Sequence, residues 1–293
     1  MTLMIDFPFP GAAPWVEHFK EVELPVLRHT VQQLDALRAD ADNINTRKLA
    51  AIIEHDPLMT LRVYQFMSAR KKTSRSAEIT TIERALMMMG TQTFYDNFQN
   101  LPIIEQQLKG HPKALLALLK VIARSRHAWD WARDWAILRQ NTNFDEIAMA
   151  ALLHDSVELL MCCFAPSLAI RAREQMVTHP GMRTALMQNE VFGASFEEIL
   201  IELCTQWGLP QLLLSLLNLS DTESANVRNV KYAVNLARHQ ANGWNDPALP
   251  DDYRDIEALL HMGHSNFLER IGAPDEQVQA ARAKEMADDE LVP

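Results

Sequence analysis

The sequence predicts an all-α protein, on three observations. Leu, Ala, Met, Glu, Gln and Arg, all strong helix formers, dominate it. Only 9 glycines interrupt 293 residues. Clusters of β-branched residues at alternating spacing are scarce, which leaves little signal for strands. With 48% hydrophobic residues, the chain can bury a sizeable core, as one large domain or as two modest lobes.

Taken in order, residues 1–22 read as an irregular, proline-rich lead-in. ELPVLRHTVQQLDALRAD then reads as an amphipathic helix, with Val26, Val31, Leu34 and Leu37 near helical spacing. In NTRKLAAIIEHDPLMTLRVYQFMSAR, Leu49, Ile52 and Ile53 form one apolar face. Asp56 there caps a new helix whose first position is Pro57. Thr80 or Thr81 caps a helix that ends at Gly90, and Thr91 begins the next. Met87, Met88 and Met89 read as core filler, because thioethers suit irregular gaps. His111-Pro112 marks a lobe boundary, since a residue before proline leaves the helical region.

A second helical block follows to about residue 240: VIARSRHAWDWARDWAILRQ, the ALLHDSVELL segment, REQMVTHPGMRTALMQNEVFG, a helix closing at Trp207-Gly208-Leu209-Pro210, QLLLSLLNL and NVKYAVNLARHQANGW. NDPALPDD reads as a loop. One or two short helices then lead to a frayed acidic tail, AKEMADDELVP. In DYRDIEALLHMGHSNFLERIGA, Ile256, Leu259, Leu260 and Met262 share one side, with Phe267 and Leu268 beyond. That stripe is expected to dock on the chain's own core, the alternative being a partner.

Composition excludes several roles. A formal net charge of −10 and a pI near 5.5 repel phosphate backbones and anionic lipid. The basic run at 70–75 reads as a solvated loop. Nucleic acid and membrane are therefore not expected partners. The first fifteen residues lack the early basic residues of a signal peptide, and no window offers about 18 uninterrupted apolar residues. Cys162, Cys163 and Cys204 make an odd count suited to a reducing cytoplasm. They read as inert buried thiols, with nothing basic beside them in sequence. No GxGxxG, P-loop, GxSxG or CxxC occurs, so those chemistries lack their markers.

The residues that could carry chemistry are His127, the adjacent His154-Asp155, and a later position at Asn235. One His, then His-Asp, then a distant fourth ligand is the order of a divalent-metal site that could activate water for phosphoester cleavage. A buried His-Asp pair can equally be a hydrogen-bonded unit tying helices together. Three features favour the second reading. Asn235 is a neutral amide where a carboxylate is wanted, SerValGlu rather than Gly-Lys follows Asp155, and Trp129, Trp131 and Trp135 crowd the His127 helix. His127, His154 and Asp155 thus form a candidate degenerate metal site. No catalytic or cofactor-binding residue is assigned.

These segments together resemble the HDOD family, non-catalytic relatives of HD-domain phosphohydrolases found in bacterial signalling proteins. The similarity covers about residues 22–245. It is carried by LeuProValLeu at 24–27, GluHisAspProLeuMetThrLeuArgVal at 54–63, IleThrThrIleGluArgAlaLeuMetMetMetGly at 79–90, ArgHisAlaTrp at 126–129, AlaLeuLeuHisAsp at 151–155, PheGlyAlaSerPhe at 192–196 and TrpGlyLeuPro at 207–210. The chain departs from the family at Phe196, where His is frequent, at Ser220-Asp221, where a His-His pair is frequent, and around Met67-Ser68-Ala69. The resemblance implies a two-lobed helical bundle whose second lobe is HD-domain-like. Residues 23–110 would form the first lobe, 111–245 the HD-like lobe and 246–293 a helical extension.

It also implies a stand-alone regulatory module that binds a signalling protein partner, or a small ligand in the inter-lobe cleft, without turnover; self-association is also open. No cofactor is expected. The alternative is a metal-dependent phosphohydrolase acting on a nucleotide or cyclic dinucleotide, with Mn, Fe, Ni or Zn on His127, His154 and Asp155.

Overall fold

A computed structural model describes residues 4–40, 45–70, 79–179 and 181–289. The basic run at 71–75 and the end of the tail, 290–293, lie outside the described residues. The first lobe holds α2 (Arg28–Ala39), α3 (Thr46–Glu54), α4 (Pro57–Ala69), α5 (Ile82–Met89), α6 (Thr91–Asn97) and α7 (Ile104–Gln107), and is preceded by α1 (Ala12–Glu21). The second lobe holds α8 (Pro112–Leu138), α9 (Phe144–Leu153), α10 (Ser156–Phe164), α11 (Pro166–Thr178), α12 (Thr184–Phe192), α13 (Phe196–Gln206), α14 (Gln211–Leu217) and α15 (Ala225–Gln240). A C-terminal extension adds α16 (Leu249–Leu260), α17 (His264–Arg270) and α18 (Asp275–Asp289). Among the described residues the one β-like feature is an isolated parallel bridge between Val26 and Ile103.

Local chemistry sets the helix boundaries. Pro57, Pro112 and Pro166 open α4, α8 and α11, where a missing N–H costs nothing. Thr81 caps α5 by accepting from the Arg84 N–H, and Gly90 closes it. Asp56 does more than cap. Its fully buried carboxylate accepts from the Leu58 and Met59 N–H groups at 3.1 Å, and from the Leu27 N–H and Thr30 hydroxyl at 2.8 Å. The start of α4 is thereby tied to the Leu24–Leu27 stretch. Arg62 reinforces the tie, donating to the Leu24 carbonyl at 2.5 Å and to Glu23 at 2.9 Å.

Several expectations are corrected. Leu24–Leu27 is extended rather than helical, because Pro25 interrupts it and Val26 exchanges backbone bonds of 2.9 Å with Pro102 and Ile104. The lead-in is not wholly irregular. Trp15, Val16 and Phe19 fall on one face of α1 and are fully buried. Met87 and Met88 are 61% and 56% exposed, so neither fills the core, and Met89 is half-buried. Leu249 and Pro250 of the expected loop begin α16, and helix continues through the acidic segment to Asp289.

Although α1 precedes the first lobe, it packs on α13 of the second. The Trp15 indole donates to the Phe192 carbonyl at 2.9 Å, and the Gly11 N–H donates to the Gly193 carbonyl at 3.1 Å. Gly193 has φ 75°, and a Cβ there would lie 2.3 Å from the Phe9 carbonyl oxygen, so this docking requires glycine. The lobes meet closely elsewhere. Thr80 donates to Glu146 at 2.6 Å, Gln107 to the Cys163 carbonyl at 2.8 Å, and Arg126 to the His55 carbonyl at 2.7 Å. Gly208, at φ 67°, leaves room for Ser68, whose Oγ would stand 1.9 Å from an added Cβ. Buried side chains of both lobes form one continuous apolar cluster. The C-terminal stripe docks on it: Ile256 and Phe267 are fully buried, and Phe267 meets Trp135 of α8 at 6.4 Å and Tyr253 at 5.6 Å. Arg270 grips Asp134 through two bonds of 2.6 Å.

Candidate functional site

The His154-Asp155 pair sits at the turn between α9 and α10. Both helices are apolar almost throughout. Phe144–Phe164 has the length and composition of a membrane span, yet 89% of its most apolar window is buried inside the fold. The long helix α8 and α15 pack against this pair of helices. Side chains from three directions therefore meet at the turn.

Asp155, whose side chain is 9% exposed, is the centre of the meeting. Its Oδ2 accepts from Arg124 Nε at 2.7 Å, while its Oδ1 faces His154 Nδ1 at 3.0 Å and Arg238 Nη2 at 3.4 Å. Glu158, one turn further along α10, takes the Nη2 of Arg124. Burial alone would raise the Asp155 pKa. Arg124 first, then the His154 contact and Arg238, hold the carboxyl well below its ordinary range instead. Burial works against charge on Arg124 too, and Asp155 and Glu158 overcome it, leaving the guanidinium above its ordinary range.

Arg124 and Arg238 thus offset Asp155 and Glu158, two charges against two. This donor set does not fit a divalent cation. Both carboxylate oxygens of Asp155 are already engaged by cationic or imidazole N–H groups, and a metal would have to displace a guanidinium to reach them. Among the described residues, no group of three His, Cys, Asp or Glu side chains gathers as a metal site would require.

Of the residues singled out in the sequence, His154 and Asp155 are brought together. His127 is exposed, its ring 5.7 Å from that of Trp131. Asn235 is half-buried on α15. The expected ligand helices do converge on the His-Asp turn, but the side chains that reach Asp155 stand three positions away: Arg124 before His127, Arg238 after Asn235. Residues three apart share a helix face, so Arg124 and Arg238 lie on the same sides of α8 and α15 as His127 and Asn235. Arg124, Glu158 and Arg238 were legible only as unremarkable charges. The available signal was Glu158 three residues after Asp155, two carboxylates on one face asking for a cation.

Other reactive groups stand apart from this network. Cys162, Cys163 and Cys204 are buried and free. Burial pushes all three thiols up, Cys204 to about 12, which leaves them poor nucleophiles. His55 is exposed at the end of α3.

Comparison with known proteins agrees with this architecture. The HDOD domain family model matches residues 24–222, which stops short of α15 and Arg238. Among solved structures, a virulence factor of Campylobacter jejuni is 20% identical, with a TM-score of 0.63 over 91% of this chain and 97% of that one. The MmoQ response regulator of Methylococcus capsulatus is 18% identical, with a TM-score of 0.62 over 89% of this chain and 98% of that one. At these identities the likeness is one of fold. No curated protein sequence matches the chain. The family match, the helical two-lobed architecture and the retained His-Asp turn lead to one conclusion: the chain belongs to the HDOD domain family.

Proposed function

We propose that this chain is a cytosolic signalling module that binds a protein partner, or a small ligand between its lobes, and turns nothing over. The observation that supports the reading is the guanidinium pair on Asp155. In a hydrolase of the HD type that carboxylate would hold a metal ion; here Arg124 supplies the positive charge, fixed within the fold. The site then works as a three-helix tie among α8, α10 and α15, holding the second lobe rigid as a platform for association. The sequence departures at Asn235 and after Asp155 point the same way. The response-regulator description carried by MmoQ is consistent with a place in signal transduction.

The test is hydrolysis of bis(p-nitrophenyl) phosphate and of cyclic dinucleotides, by wild type and Asp155→Asn, with Mn, Fe, Ni or Zn added in turn. The expected result is the same background rate for both proteins under every metal. Metal-dependent turnover that Asp155→Asn abolishes would overturn the reading and restore the phosphohydrolase alternative.

A further inference from the structure

An open groove of about 340 Å³ runs along the second lobe between α8 and α11. Its floor includes Leu116, Ile170 and Val177. Leu116 and Val177 are 58% and 79% exposed, large apolar side chains left in water on neighbouring helices. Its rim carries Lys113, Lys120 and Arg173. The one acidic side chain lining the groove, Glu174, stands 3.9 Å from Lys113, which leaves Lys120 and Arg173 in excess. This is a cationic strip on a chain whose net charge is −10.

We propose that the groove docks an acidic amphipathic helix of a partner protein, apolar side chains down onto Leu116 and Val177, carboxylates out to Lys120 and Arg173. The inference rests on the reading of the chain as a protein-binding module and gives that partner a chemistry and a place. An apolar trough between two neighbouring helices accepts a third helix in the manner of helix-in-groove recognition. Charge selects the occupant. A two-fold contact with a second copy would set this strip against itself, cation against cation. Nucleic acid is disfavoured because the floor is aliphatic, with no aromatic ring on which a base could stack. The rim charges act mainly on encounter rate and partner choice, while the buried apolar contact sets the lifetime of the complex.

The experiment is fluorescence anisotropy on the full chain with two labelled peptides of the same leucine pattern at helical spacing, one carrying Glu and the other Lys at the remaining positions. Val177→Asp and Lys120→Glu are exposed positions, so both variants are expected to keep the circular dichroism and melting behaviour of wild type. The Glu peptide should bind wild type, lose about tenfold or more in affinity to each variant, and weaken as salt screens the rim. No binding of the Glu peptide, equal binding of the Lys peptide, or indifference to both substitutions overturns the proposal. Binding of phosphatidylglycerol vesicles that both variants lose would also overturn it, assigning the groove to a lipid surface. Failure here leaves the absence of turnover standing, since that rests on the hydrolysis assay alone.

Discussion

The carboxylate of Asp155 is engaged on both oxygens, so its removal and the removal of its partner are not equivalent events. Arg124→Met leaves Asp155 and Glu158 facing an apolar chain, and should cost about 3–5 kcal/mol in urea unfolding. Asp155→Ala should cost a similar amount for the mirror-image reason. The double substitution should cost clearly less than the two together, because it removes both charges. Additive losses would show that the ion pair is not the link between α8 and α10. Acid provides a second view of the same group. A carboxyl held low in the folded chain binds protons less readily than its unfolded counterpart, whose pKa is about 3.9. Its stabilisation is therefore present above about pH 4 and drains away as pH falls through the folded value. Asp155→Asn should flatten the decline of urea midpoint with acidification; an unchanged slope would refute it. At Gly208, φ 67° and the approach of Ser68 act together. Gly208→Ala should cost about 1–3 kcal/mol, and pairing it with Ser68→Gly should recover the steric part but not the backbone part, as read by thermal melts.

Among whole elements, the C-terminal extension is part of the core rather than an appendage. Ending the chain near residue 245 removes Phe267 from Trp135 and Tyr253, and breaks the Arg270 grip on Asp134. Size-exclusion chromatography should show the truncated chain aggregating, not eluting as a clean monomer. Phe267→Ala in the full chain should cost about 3–5 kcal/mol. How far such elements could be read in advance depended on whether their signal was local. Asp56-Pro57, Thr81 with Gly90, and Pro112 act within one turn of the chain, and each boundary lies where its chemistry places it. The extension's apolar stripe was legible by spacing, since periodicity reports a face even when its contact is distant. α1 was missed because Asp6, Pro8, Pro10 and Pro14 mask an apolar face made of Trp15, Val16 and Phe19 alone. Met87 and Met88 were misplaced because hydrophobic character does not reveal which side of α5 is covered. At the His-Asp turn, the order of the candidate residues pointed to α8, the α9–α10 turn and α15. It could not rank Arg124 over His127, since which side chain of α8 reaches Asp155 is decided by tertiary packing rather than by local sequence.

Viewed as one molecule, the boundary between lobes carries a titration of its own. Glu54 ends α3 in the first lobe, with Glu83 of α5 beside it and Asp145 of α9 and Arg133 of α8 across the boundary. Burial chiefly, then Asp145 and Glu83, raise its pKa from 4.5 to about 7, against the pull of Arg133. An acid raised in the folded state favours folding below its unfolded pKa and loses that contribution as pH climbs through the folded value. Stability should therefore fall between about pH 4.5 and pH 7 on account of this group. Glu54→Gln should recover about 1–2 kcal/mol at pH 8, allowing for partial solvent access. Equal stabilities of wild type and variant at pH 8 would remove Glu54 from the account. The docking of α1 on α13 has a consequence in time as well as in space. Trp15 and the carbonyl it binds, Phe192, are 177 residues apart. At a synthesis rate of about 5–20 residues per second, roughly 10 to 35 s pass before the second is made after the first. Throughout that interval the nascent chain carries Trp15, Val16 and Phe19 with no α13 seat to receive them. This N-terminal helix can therefore take its place on α13 only after most of the second lobe has been made.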